Sequence, residues 1–189
     1  MDNDMQYTIQ QLIQRQARGE KLNFLFFWGH RPARDGRVTQ SCFSQWWAEN
    51  PFEIEAIRYQ TAEHWMMAEK ARLFGDGYHE DLIIKATSAG AAKALGREIQ
   101  NFDDAIWNQA KFNIVKMGNL HKFQQPDLAD FLLATGDKIL VEASPVDRIW
   151  GIGLEATHPD ALFPKDWRGE NLLGFALMEV RDYLLAHQK

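Results

Sequence analysis

Residues 58–72 read RYQTAEHWMMAEKAR and place a carboxylate, an imidazole and an amine at helical spacing. Thr61 suits an N-cap, which puts Glu63 in the first turn, where free amide groups and the helix dipole favour a charged carboxylate. Positions 59, 63, 67, 70 and 74 share one face, so Glu63 and Lys70 point the same way, roughly 10 Å apart along the axis. That span suits a ligand with two polar ends. An ionised acid and an amine set among Trp65, Met66 and Met67 point to acid–base or nucleophilic work beside buried surface. Plain structural readings stand beside this one. A first-turn Glu complements the dipole, Lys70 can run over Phe74 to solvent, and a lone His64 is more often a satisfied structural histidine.

The second informative stretch is LVEASPVDRIWGIG, Leu140 to Gly153. It runs from a strand into a Ser-Pro turn, offers Asp147 as a carboxylate and sets Trp150 against two glycines, which let backbone or a ligand approach the indole face. Asn171 stands at the start of the last helix. It is expected to cap backbone amides, and the same position suits an amide aimed at a sugar hydroxyl.

Several chemistries drop out. The six histidines at 30, 64, 79, 121, 158 and 187 have no ligand spacing, so no metal or other cofactor is expected. Gly151-Ile-Gly153-Leu-Glu-Ala156 imitates a dinucleotide fingerprint, but Thr157-His158-Pro159 follows where a helix would have to start. No Gly-x-Ser-x-Gly elbow is present, and Cys42 lacks an activating helix N-terminus. Carboxylate chemistry is what remains. A net charge of -5 argues against a protein that coats nucleic acid, while leaving room for a local phosphate pocket. A single cysteine and the lack of a signal-like or spanning apolar run fit a cytoplasmic protein away from membranes.

The elements that must position these groups follow from periodicity. A polar helix is expected over about 5–18, ended by Gly19, and FLFFW reads as a buried strand. FEIEAIRY alternates as one strand, and the pattern turns helical after Thr61. Helices are expected over about 78–86, 88–97, 103–123 and 126–135, a strand at KILVEA, a long ordered loop over 144–170 and a closing helix over 172–186. The loop segment 156–169 lies where a lid is expected. With 189 residues, 46% of them hydrophobic, this predicts one predominantly helical α+β domain over 23–189 behind an N-terminal extension, 1–22.

These blocks in order resemble the NADAR family, the YbiA-like N-glycosidases. The resemblance runs through Tyr59-x-Thr61-x-Glu63-His64 with Lys70-Ala71, Ala94-Leu95-Gly96-Arg97, Trp107 with Lys111, Met117 and Lys122-Phe123, Thr135-Gly136, LVEASPVDRIWGIG, and Gly169-x-Asn171-x-Leu173-Gly174 with Leu177-Met178-x-Val180-Arg181. It implies hydrolysis of an N-glycosidic bond at ribose, on phosphoribosylamino-pyrimidine intermediates of riboflavin biosynthesis. The alternatives within it are removal of ADP-ribose from modified guanine in nucleic acid, or binding of ADP-ribose or NAD without turnover. Under this resemblance Glu63 is the central carboxylate, with Lys70 and Asp147 sharing the catalysis. His64, Arg97, Trp107, Lys111, Trp150 and Asn171 bind a phosphorylated ribosyl small molecule. Lys122 is a further candidate for the phosphate.

Overall fold

A computed structural model describes residues 5–187. In chain order its elements are α1 (Ile9–Ala17), β1 (Phe24–Phe27), β2 (Phe52–Ile54), β3 (Ile57–Tyr59), α2 (Ala62–Leu73), α3 (Gly77–Ile84), α4 (Ala89–Leu95), α5 (Asp104–Lys122), α6 (Pro126–Leu133), β4 (Ile139–Glu142) and α7 (Leu172–Ala186). Short 3-10 turns add Gln40–Phe43, Pro159–Leu162 and Pro164–Asp166. The fold is α+β and mostly helical. The chain divides into two units, residues 29–128 and the remainder.

In the unit formed by the chain ends, β1 and β4 pair in parallel, with Phe24 opposite Ile139 and Phe27 opposite Glu142. α7 packs on β4 and is buried from Leu172 to Arg181. Gly174 is required there, because a Cβ would run into the Leu140 carbonyl. The Arg181 guanidinium donates to Thr135 Oγ1 at 2.9 Å and to the Lys138 carbonyl at 2.8 Å. Thr8 and Gln11 form a capping box that starts α1, and Gly19, at φ +83°, lies just past its end. Within the long loop, segment 156–169 folds into its two 3-10 turns. The Trp167 indole N–H donates to the Ala161 carbonyl, and its ring meets Phe24 edge-on at 6.0 Å.

In the 29–128 unit, α2 is the central element and packs against α3, α4 and α5. Its residues Ala62 to Ala68 are all buried, a continuous run that gives the helix no solvent face over two turns. The Trp65 indole N–H donates to the Ile114 carbonyl at 2.7 Å, and its ring lies over Gly118, whose missing side chain leaves room for it. One expected element differs. FEIEAIRY is a hairpin, not a single strand: Glu55 and Ala56 both take positive φ, 52° and 64°, and reverse the chain between β2 and β3. No Gly or Asn marks that turn, so the alternation of the flanking strands read as continuous.

A candidate active site on α2 and its neighbours

α2 begins where Thr61 Oγ1 accepts the His64 backbone N–H at 3.3 Å. Glu63 follows in the first turn, its N–H donating to the Gln45 carbonyl at 2.9 Å. Its side chain lies inside the unit at 3% exposure. His64 is fully buried with both ring nitrogens committed: Nδ1 meets Thr61 Oγ1 at 2.8 Å and Nε2 the Ala86 carbonyl at 3.0 Å. Burial pushes its pKa down, and the Ala86 bond opposes this. A neutral imidazole donating from Nε2 and accepting at Nδ1 satisfies both contacts, so this ring holds α2 to Ala86, the second residue after α3.

Two turns along the same face, Lys70 Nζ donates to the Gly96 carbonyl at 2.7 Å. It lies 4.2 Å from the centroid of the Phe102 ring and 5.8 Å from that of Trp107. Removal from water lowers its pKa, and the Asp104 carboxylate on α5 opposes the effect. Met67 packs where a Cβ on Gly96 would stand, so that glycine brings the end of α4 close to α2. Arg97, the next residue, is exposed. On α5, Lys111 lies one turn beyond Trp107; it is buried and donates to Asn108 Oδ1 at 2.8 Å. The structure therefore brings Lys70 and Trp107 together, with Arg97 and Lys111 adjoining and Glu63 at the other end of the face.

Phe102 belongs to this group and has no signal of its own in the sequence. It follows Asn101, whose φ of 56° redirects the chain, and it packs edge-on against Phe74 at 5.2 Å. The run Asn101-Phe102-Asp103-Asp104 reads only as the approach to α5, which Asp103 caps. Lys122 occupies a different setting. It is 1% exposed and donates to the Cys42 carbonyl at 2.5 Å and the Ser44 carbonyl at 2.8 Å.

The other unit holds a second group. Asp147 Oδ1 accepts the N–H groups of Ile149 (2.9 Å) and Trp150 (2.7 Å), and its own N–H donates to Ser144 Oγ. That carboxylate fixes the turn carrying the half-buried Trp150. Gly151 follows, where a Cβ would sit 2.8 Å from the Glu142 carbonyl. Asn171 is fully buried at φ 54°, and its side chain makes no cap on α7. Its Oδ1 accepts the Glu142 N–H and its Nδ2 donates to the Leu140 carbonyl, both at 3.0 Å. The left-handed backbone turns the amide away from the helix it precedes and onto the edge of β4, which is why the expected cap is not made.

Residues 26–185 match the NADAR domain. An N-glycosidase of Acanthamoeba polyphaga mimivirus is 44% identical over 164 residues, covering 84% of this chain and 95% of that protein. A riboflavin biosynthesis protein of Vibrio vulnificus is 33% identical over 135 residues, 71% of this chain and 33% of its own length. Among solved structures, the NMR structure of the Escherichia coli protein YbiA superimposes with a TM-score of 0.69 at 26% identity, over 88% of this chain and 90% of that one. With its fold and nearly all of its length matched in this way, the chain belongs to the NADAR family.

Proposed function

We propose that the chain hydrolyses the N-glycosidic bond between a ribose phosphate and a heterocyclic amine. One observation carries this reading: an enclosed carboxylate, Glu63, shares a helix face with an amine, Lys70, that is set in an aromatic corner. As the heterocyclic amine leaves, positive charge develops at C1, and a fixed carboxylate beside it lowers that barrier. Glu63 fills this role and takes a proton from the attacking water. Burial raises the neutral fraction of Lys70, which makes it a usable nucleophile. Its amine adds to C1 of the ring-opened sugar, the heterocyclic amine departs, and water then releases the sugar as an aldose and restores the lysine.

Trp107 offers a stacking face for the heterocycle, and Arg97 an exposed guanidinium for the phosphate. Lys111 holds Asn108 in place along the same stretch of α5. Asp147, Trp150 and Asn171 act within their own unit, Asp147 and Asn171 by fixing the turn and strand edge that present Trp150. The Vibrio vulnificus relative is named as a riboflavin biosynthesis protein, which fits the phosphoribosylamino-pyrimidine substrates that the family resemblance implies, and such a small molecule suits an acidic chain better than a polymer does. A cytoplasmic setting follows from that substrate. Among the described residues no helix is long and apolar enough to cross a membrane.

The test is incubation with a phosphoribosylamino-pyrimidine, with an ADP-ribosylated guanine oligonucleotide and with ADP-ribose, followed by chromatography of the released base and sugar. Turnover of the first is expected, with Glu63→Gln slowing it by about 10²–10³-fold while far-UV circular dichroism stays unchanged. Full activity in that variant would remove the central assignment.

A further inference from the structure

Gln45 Nε2 and Asn119 Oδ1, both inside the 29–128 unit, have no hydrogen-bond partner among the described residues. Both side chains are buried, at 6% and 0% exposure. An unpaired buried amide atom is costly, so an apolar side chain of the same size would serve packing better at either position. Neighbours fix the orientation of both amides. Asn119 Nδ2 donates to the Val115 carbonyl at 2.9 Å and to Gln45 Oε1 at 2.8 Å, which obliges Gln45 to present its oxygen to Asn119. One donor and one acceptor are left over, flanking a single hydrogen bond. A hydroxyl group answers both, accepting from Nε2 while donating to Oδ1.

Gln45 adjoins the residue that bears the candidate carboxylate, because the Gln45 carbonyl receives the Glu63 N–H. Resting on the assignment of Glu63 to the anomeric carbon, we propose that Gln45 and Asn119 together read the ribose 2′-hydroxyl and so select ribosyl over deoxyribosyl substrates. That hydroxyl is borne on the carbon next to C1, and hydrogen bonds to it strengthen as charge develops at C1. Both amide atoms are closed to solvent in the resting chain. The hydroxyl reaches them only when the side chains that cover the pair move aside.

The test compares kcat/KM for the ribosyl and 2′-deoxyribosyl forms of one substrate in the unaltered chain, Gln45→Met and Asn119→Leu, with urea denaturation of all three. The unaltered chain is expected to prefer the ribosyl form by about a hundredfold. Either substitution should bring that preference to within about threefold through loss of ribosyl turnover alone, with only a small fall in the denaturation midpoint from the broken Gln45–Asn119 hydrogen bond. The variants lie on different elements, so one that fails to fold leaves the other to decide. Unchanged preference in a folded variant would overturn the proposal. So would an equal loss on both substrates with a lowered midpoint, which marks amides that serve the interior through bound water. Absence of turnover in the unaltered chain, or full turnover in Glu63→Gln, would remove the glycosidase reading itself and is seen in separate arms.

Discussion

Lys70 holds its side-chain nitrogen 4.2 Å from the centroid of the Phe102 ring while donating to the carbonyl of Gly96. The ring excludes water from one side of the amine, and its π face also attracts the charged form. That attraction is worth about 0.5–1 kcal/mol at a partly exposed site, under one pH unit. Burial as a whole acts in the opposite direction and is the leading cause of the lowered Lys70 pKa. Phe102→Ala should therefore move the pH–rate profile to higher pH and lower the rate at neutrality, while Lys70→Met should abolish turnover. Steady-state rates between pH 6 and 10 check both. A shift towards acid would mean that the ring stabilises the ammonium.

Lys122 yields a prediction about stability. Burial pushes its pKa down to about 7, whereas the unfolded chain titrates near the ordinary value of about 10.4. Between those values the unfolded state binds more protons, so stability rises with pH. Burial pushes the Cys42 thiol up to about 12, so above about 8.5 its ionisation in the unfolded chain opposes that rise. His64, lowered by burial, acts mainly below about 6.5. Lys70, also lowered by burial, adds in the same direction, so the Lys122 part of the rise between pH 7 and 8.5 is read as the difference from Lys122→Met. Urea denaturation should show stability climbing there by about 1 kcal/mol per pH unit, and Lys122→Met should flatten the slope.

The turn between β2 and β3 puts Glu55 and Ala56 in left-handed backbone, which costs each about 1–2 kcal/mol. Asn-Gly is the pair that a two-residue turn of this shape favours. Replacing Glu55-Ala56 by Asn-Gly should raise stability by about 1 kcal/mol after the added freedom of the unfolded glycine is counted, without changing turnover. Thermal unfolding monitored by circular dichroism reads the first expectation and an activity assay the second.

Asn171 predicts the opposite sign. Its truncation to Ala strands the Glu142 N–H and the Leu140 carbonyl and leaves Ala in left-handed backbone. A loss of about 2–4 kcal/mol is expected. Asn171→Asp should also destabilise, because it keeps the acceptor but sets a carboxylate against the Leu140 carbonyl. Denaturant titration of both variants decides the matter.

Local signals carried much of this fold into view. Thr61, Asp103 and Gly136 punctuate their helices as their residue types demand, and α2, α5 and α7 fall within a residue or two of where periodicity places them. The candidate site was legible at Glu63 and Lys70 only as a shared helix face, because helical spacing alone aligns them. What periodicity could not convey was the meeting of Lys70 with Gly96, Phe102 and Trp107, which depends on how α4 and α5 pack against α2. The same holds for Asn171, where a left-handed backbone angle decides which element receives the amide.

The parallel pairing of β1 with β4 joins strands separated by more than a hundred residues. During synthesis FLFF leaves the ribosome long before ILVE exists to receive it. An apolar strand with both edges unsatisfied is adhesive, and closing so wide a loop is slow. The nascent chain thus carries an unprotected Phe-rich segment through most of its translation, exposed to mispairing until β4 emerges.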